Sequence, residues 1–270
     1  MQVTLAHRTV YRYQEPVKYT AQTLRLTPRR DGGQRVLAWS IHAPGRRTEQ
    51  VDAHGNVTHL LTLEEPHTEI AIVVTGAVEI RHSEDVMRHE ETLSPLVYLA
   101  PTLLTAPSEE IVALARERLE GGSPLRRRLY DLAAGVCSRV RYCPGTTSVE
   151  DAAGAALARG EGVCQDQAHV LIACCRSAGI PARYVSGYLC SGTAGGSGES
   201  ATHAWVEVWL SDEKGWHGID VTHMEPAGRR HCRLAVGRDY LDAAPDRGMR
   251  RGGGREVMDV SVTAKAADSQ

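Results

Sequence analysis

The stretch that most constrains the fold runs from Gly160 to Gly187, GEGVCQDQAHVLIACCRSAGIPARYVSG. Gly160 and Gly162 make a turn, and Cys164 opens a run with helical spacing that carries to Ala178. Gly179 stops the run. Pro181 keeps it from resuming, because proline lacks the N–H a helix needs. Arg183 to Leu189 is rich in β-formers and reads as a strand. Ala168, Leu171, Ile172 and Cys175 share one face of the helix, which marks it as the central buried one. A cysteine at a helix start also has a chemical use. The unpaired N–H groups and the helix dipole favour a thiolate there.

Two later stretches fit this one. His203 begins the strand-like HAWVEVWL, and Asp220 follows GWHGI, another strand-like piece. Cys, His, Asp is the order of a thiol nucleophile, its acid/base and the group that orients the base. Taken singly, each residue also has an ordinary reading. Cys164 fits a small buried hydrophobe, His203 a strand edge, and Asp220 a turn former before Thr222. His169, His217 and His223 are alternative bases. His169 lies about a turn and a half along the helix from Cys164, and His217 alternates in a strand toward solvent. Asp166 reads as a first-turn acid that complements the helix dipole. Cys137, Cys174 and Cys175 read as packing residues.

GVCQDQAHVLIACCRSAGIPARYVSGYL, HAWVEVWL and GWHGIDVTH together resemble the bacterial transglutaminase-like cysteine peptidase group. LAHRTVYRYQEPV and QTLRLTPR resemble the β-rich N-terminal region that accompanies this core in bacteria, and LAVGRDYLDAAPDRG resembles the group's C-terminal segment. This chain has Asp220-Val221-Thr222 where the group usually has Asp-Pro-Thr. The resemblance implies an α+β protein with an N-terminal β-sandwich-like domain and a papain-like, transglutaminase-like core. It implies a Cys164–His203–Asp220 triad that acts on peptide or protein amides through a thioester, with no cofactor and no metal. Water as acceptor gives a hydrolase, and an amine gives an acyl transferase. A non-catalytic peptide-binding module that keeps the fold is the rival from another class. The Cys164 N–H is the first oxyanion donor. Tyr142, Gln165 and Trp205 are further candidates for oxyanion or substrate contact.

The organisation reads as residues 1–90 a β-rich domain, 91–107 a linker with Pro95, Pro101 and Pro107, and 108–270 the catalytic domain. Short β-like runs joined by turn clusters suggest a small sandwich in the first. In the catalytic domain, Ser108 caps a helix to about Leu119 and a second helix spans Leu125 to about Val140. Ser148 with Asp151 predicts a capped helix to about Ala158. SGTAGGSGES, just before His203, reads equally as a cover for the site or a hairpin tip. Residues 233–248 are expected to pack on the catalytic core, and Glu256 to Ala264 reads as a final strand.

Composition sets the outer limits. Hydrophobic residues make up 42% of the 270, enough for a sizeable core, yet Phe is absent, so Tyr, Trp and the aliphatics fill it. A formal net charge of -2 offers no general field for nucleic acid or an anionic membrane. No apolar run reaches the length of a transmembrane helix, and MQVTLAHRTV lacks the layout of a signal peptide, so the expected setting is the cytoplasm. Seven cysteines, an odd count with no C-x-x-C pair, fit reduced thiols better than disulfides or a structural zinc site. Oligomeric state leaves no mark in the sequence.

Overall fold

The computed structural model describes residues 1–31, 33–81, 87, 93–190, 202–228 and 230–266. The Gly/Ser run before His203 lies outside the described residues. The chain opens with β1 (Gln2–Leu24), a 23-residue strand whose alternate side chains Val3, Leu5 and His7 turn inward. β2 (Gln34–His42), β3 (Arg46–Val51), β4 (Val57–Leu63) and β5 (His67–Ile80) follow. The turn into β4 forms at Asp52-Ala53-His54-Gly55-Asn56. Asp52 Oδ1 accepts the N–H groups of His54 and Asn56, and Gly55 takes a φ of 77°. The strand order is β2-β5-β1-β4-β3. β1 is long enough to serve several neighbours, β5 along its first half and β4 along Thr20–Leu24. With two later strands these form, among the described residues, one seven-stranded sheet threaded by β1.

A 3-10 helix at Pro95–Leu99 leads into the second unit. This segment is docked rather than free. Arg176 Nε donates to Tyr98 O at 2.9 Å and its Nη1 to Thr105 Oγ1 at 2.7 Å, with Tyr98 and Leu104 buried. α1 (Glu109–Leu119) starts where Ser108 Oγ accepts the Ile111 N–H. Next come α2 (Leu125–Arg139), β6 (Arg141–Tyr142), α3 (Ala153–Arg159), β7 (Glu161–Gly162) and α4 (Cys164–Ser177). The predicted Ser148 cap does not form. Asp151 Oδ2 accepts the Ser148 N–H in the preceding loop, and α3 begins later, behind Ala152, without a side-chain cap.

Four strands follow α4 in a second sheet: β8 (Ala182–Leu189), β9 (Thr202–Leu210), β10 (Gly215–Asp220) and the short β11 (Glu225–Pro226). With β12 (His231–Gly237) the order is β11-β10-β9-β8-β12. α4 lies between this sheet and the α1–α2 pair. Ala168, Leu171, Ile172 and Cys175 are fully buried in one cluster with Tyr184, Val206, Val208 and Ile219. Each buried Leu or Ile there contributes about 1.5–3 kcal/mol from removal of apolar surface. No helix among the described residues is long and apolar enough to cross a membrane.

α5 (Tyr240–Ala243) packs on β8 and β12, in line with the expectation for that part of the C-terminal segment. The rest differs. β13 (Asp246–Gly252) and β14 (Glu256–Ala266) leave the catalytic unit and pair antiparallel with β1, over Val17–Leu24 and Val3–Tyr13. Residues 246–266, placed by the sequence reading in the catalytic domain, thus complete the N-terminal sheet. The two sheets meet at a shared apolar seam. Tyr188 of β8, the adjoining Cys190, and Cys232 and Leu234 of β12 join the cluster of Val3, Leu5, Ile72 and Val74.

Candidate active site

The turn before α4 is closed by the helix's own first turn. Asp166 Oδ2 accepts the Val163 N–H at 2.7 Å and the Thr147 hydroxyl at 2.9 Å. Burial raises the Asp166 pKa, and these donors oppose the rise. A Cβ on Gly162 would lie 2.6 Å from that of Asp166, so only glycine lets the carboxylate fold back. β6 runs parallel to β7, and the Cys143 N–H donates to Gly162 O at 2.7 Å, which fixes the approach to Cys164. Cys164 is the first residue of α4 and is partly exposed. Its N–H belongs to the first helical turn, where no intrahelical acceptor exists.

β9 and β10 pair antiparallel with Ile219 opposite Val206, which brings His203 near the start of one within reach of Asp220 at the end of the other. His203 Nε2 lies 2.8 Å from Asp220 Oδ2, and the ring also hydrogen-bonds the Cys164 side chain. Burial opposes charge on His203, but the bonds to Asp220 and Cys164 outweigh it and its pKa is raised to about 10. Burial likewise opposes charge on Asp220. Three histidine bonds overcome it and hold the carboxyl well below the usual carboxylate range. The structure therefore brings Cys164, His203 and Asp220 together.

Two members of this cluster escaped the sequence reading. His223 was weighed only as an alternative base, and its Nδ1 lies 2.9 Å from Asp220 Oδ2 while its N–H donates to Oδ1. His231 carries no sequence signal for the site, and its Nε2 lies 2.9 Å from the same Oδ2. β12 is at the opposite edge of the sheet from β10, so no local spacing announces that contact. Gln167 was also missed. It accepts the Thr222 hydroxyl at 2.7 Å and donates to Val140 O at 2.8 Å, tying α4 to the turn after Asp220.

The further candidates separate. Tyr142 is half exposed and in register with Gly162, two residues before Cys164. Gln165 is buried and its Nε2 donates to Val149 O at 3.2 Å. Trp205 is 1% exposed and forms a floor rather than a substrate contact. Its ring lies 6.3 Å from His203 in a stacked pose and 5.0 Å from His231 edge-on, and a Cβ on Gly187 would strike it. His169 serves α5, with Nε2 accepting the Tyr240 N–H, and burial lowers its pKa to about 3. His217, expected toward solvent, is buried beside the Tyr130 hydroxyl. Burial pushes the Cys174 and Cys190 thiols up to about 12, and Cys175 and Cys232 also rise. His203, Asp220 and His223, and Asp220, Glu225 and His231, each bring ligand atoms within 4.8 Å of one another. Both sets share Asp220, so a metal there would compete with the imidazole bonds to that carboxylate.

The family described as the transglutaminase-like superfamily matches residues 112–221, which include Cys164, His203 and Asp220. The bacterial transglutaminase-like N-terminal region matches residues 3–79. An uncharacterized protein of Mycobacterium leprae is 32% identical over 278 residues, covering 96% of both chains. An uncharacterized protein of Mycobacterium tuberculosis is 32% identical over 284 residues, covering 96% of this chain and 90% of its own. Among solved structures, a candidate cysteine protease from Cytophaga hutchinsonii is 22% identical, with a TM-score of 0.80 over 100% of this chain and 92% of its own. That likeness extends the shared fold to both units.

Proposed function

The chain belongs to the transglutaminase-like superfamily, and from that premise we propose that it is a cysteine-dependent hydrolase of peptide or amide bonds, working through Cys164, His203 and Asp220. The observation that carries this reading is the position of His203, bonded on one side to the Cys164 side chain and on the other to the Asp220 carboxylate. With Nε2 engaged by Asp220, Nδ1 is the ring nitrogen left to take the thiol proton in this scheme. The Cys164 proton passes to His203, and the sulfur attacks the substrate carbonyl carbon. The new oxyanion meets the Cys164 N–H at the start of α4, with the Tyr142 hydroxyl as the second donor in this scheme. The C–N bond breaks and His203 gives its proton to the leaving amine. Water then attacks the thioester, His203 takes its proton, and the C–S bond breaks to release the acid. Asp220 holds the ring and its charge throughout.

We take water rather than an amine as the acceptor. A transferase must hold an amine close and exclude water. Trp205 and Trp216 are each 1% exposed, so neither walls an acceptor channel. The test is to incubate the protein and its Cys164→Ala variant with an acyl-donor peptide and excess labelled primary amine. Free acid as the main product, absent with the variant, supports the reading. Amide product dominating would make the protein a transferase. Turnover by Cys164→Ala would remove the cysteine from the mechanism.

A further inference from the structure

Asp220 is served by more imidazoles than a triad needs. His203 comes from β9, His223 from the turn after β10 and His231 from β12, and all three reach Oδ2 at 2.8 to 2.9 Å. They are not equivalent. His223 is three residues from Asp220 with a quarter of its side chain exposed, so its contact is local. The His231 side chain is 2% exposed. Its Nδ1 accepts the Gly228 N–H at 3.1 Å. A backbone N–H only donates, so Nδ1 carries no proton, and the proton of the neutral ring sits on Nε2, facing Asp220. The ring is held edge-on by Trp205, and its backbone is in register with Leu189 of β8.

We propose that His231 is a positioning residue for the reaction: its Nε2–H fixes Asp220 Oδ2 at the point where it meets His203. The proposal rests on the triad reading above. A carboxylate bonded only to His203 could swing about its last torsion. Here His231 anchors Oδ2 from the sheet side and the His223 N–H holds Oδ1 at 3.2 Å, so the plane of the group is set. The charged and titratable groups facing His231 are Asp220 from β10, His203 from β9 and Glu225 from β11. Burial outweighs the two carboxylates and lowers its pKa. His231 thus stays a neutral donor while His203 gives and takes protons.

The test compares the wild type with His231→Leu and His231→Gln. Glutamine places an amide donor close to the Nε2 position, and leucine places none. We expect His231→Leu to lose about tenfold in kcat with KM unchanged, since one of three donors is removed and not the carboxylate. The pH at which Cys164 alkylation by iodoacetamide sets in should also move up, because a less firmly held His203 imidazolium gives the thiolate less support. His231→Gln should retain most of both. A leucine variant equal to the wild type in rate and pH profile overturns the proposal. So does equal impairment of both variants with an unmoved profile, which would leave His231 a packing residue. If neither variant folds, imidazole NMR of the wild type decides. A neutral Nε2–H tautomer at neutral pH supports the proposal, and an imidazolium or an Nδ1–H tautomer overturns it. Absent turnover and slow alkylation in the wild type would instead count against the triad reading, and the tautomer measurement keeps the two failures apart.

Discussion

Asp220 is the residue on which the site's electrostatics turn, because its charge is buried and every bond to it comes from a histidine. Asparagine in its place keeps the shape but offers one acceptor oxygen and an NH2 group. That NH2 would face either the imidazoles at the Oδ2 position or the His223 backbone N–H at the Oδ1 position, and in both cases His203 loses its charge partner. Asp220→Asn should lower kcat by about two to four decades. The pH-rate profile should show its upper limb falling from the raised His203 value of about 10 toward that of an ordinary histidine. A loss under tenfold with an unmoved limb would mean that something other than Asp220 orients the ring. The three central residues were legible because each stands at an element boundary that composition marks: helix start, strand start, strand end. The neighbours were not. Trp205 and Gln165 adjoin the triad in sequence, yet Trp205, on the same strand face as His203, is buried beneath the His203 and His231 rings, and a bond to Val149 ties Gln165 to a loop. His231 is invisible for the reverse reason, since only the closing of β12 onto the sheet brings it to Asp220.

At the scale of elements, the question is how β12 ends up holding a catalytic carboxylate. It is an edge strand, and an open edge leaves a row of N–H and C=O groups unpaired. Two side-chain amides from the N-terminal unit take the place of the missing strand. Gln34 Oε1 accepts the Arg233 N–H at 2.9 Å and its Nε2 donates to Arg233 O at 2.7 Å. Asn56 does the same at Val236, with both bonds at 2.8 Å. Each amide satisfies a buried donor and a buried acceptor. Gln34→Leu or Asn56→Leu should therefore cost about 1–3 kcal/mol apiece, read from urea midpoints, and the double variant should also lose activity through His231. A double variant as stable as the wild type would show that water replaces the amides at no cost. The strands themselves were mostly legible from alternation and turn residues. Their partners were not: β13 and β14 pair with β1 across more than two hundred residues of sequence, and nothing in a strand's own pattern names its neighbour.

At the scale of the molecule, the two sheets are joined by an apolar seam that encloses polar groups, and this makes their union sensitive to acid. Arg183 and Arg233 both pair with Glu207, and Arg233 also with Asp31, so one buried network spans both units. Beside the seam, His7 Nδ1 lies 2.7 Å from the Tyr188 hydroxyl and Nε2 lies 2.8 Å from Thr9 Oγ1. Burial lowers the His7 pKa from 6.5 to about 4. The unfolded chain therefore binds this proton more readily than the folded one. The stabilising difference is complete above pH 6.5 and is lost as pH falls through the window down to about 4. At about 1.4 kcal/mol per pH unit, His7 alone is worth about 3 kcal/mol over that span. His169 and His217, lowered to about 3 and about 4, act in the same direction within the catalytic core. Asp246 acts in the opposite direction. Burial raises it to about 6, so its folded form gains protons first and offsets part of one histidine as pH falls. Stability measured by urea midpoint should therefore drop steeply from pH 6.5 toward 4. His7→Gln keeps a polar partner for Tyr188 and removes the titration. It should match the wild type at neutral pH and fall less steeply in acid. If its slope equals that of the wild type, His7 is not what makes the seam acid-sensitive, and the lability belongs to the buried histidines of the catalytic core.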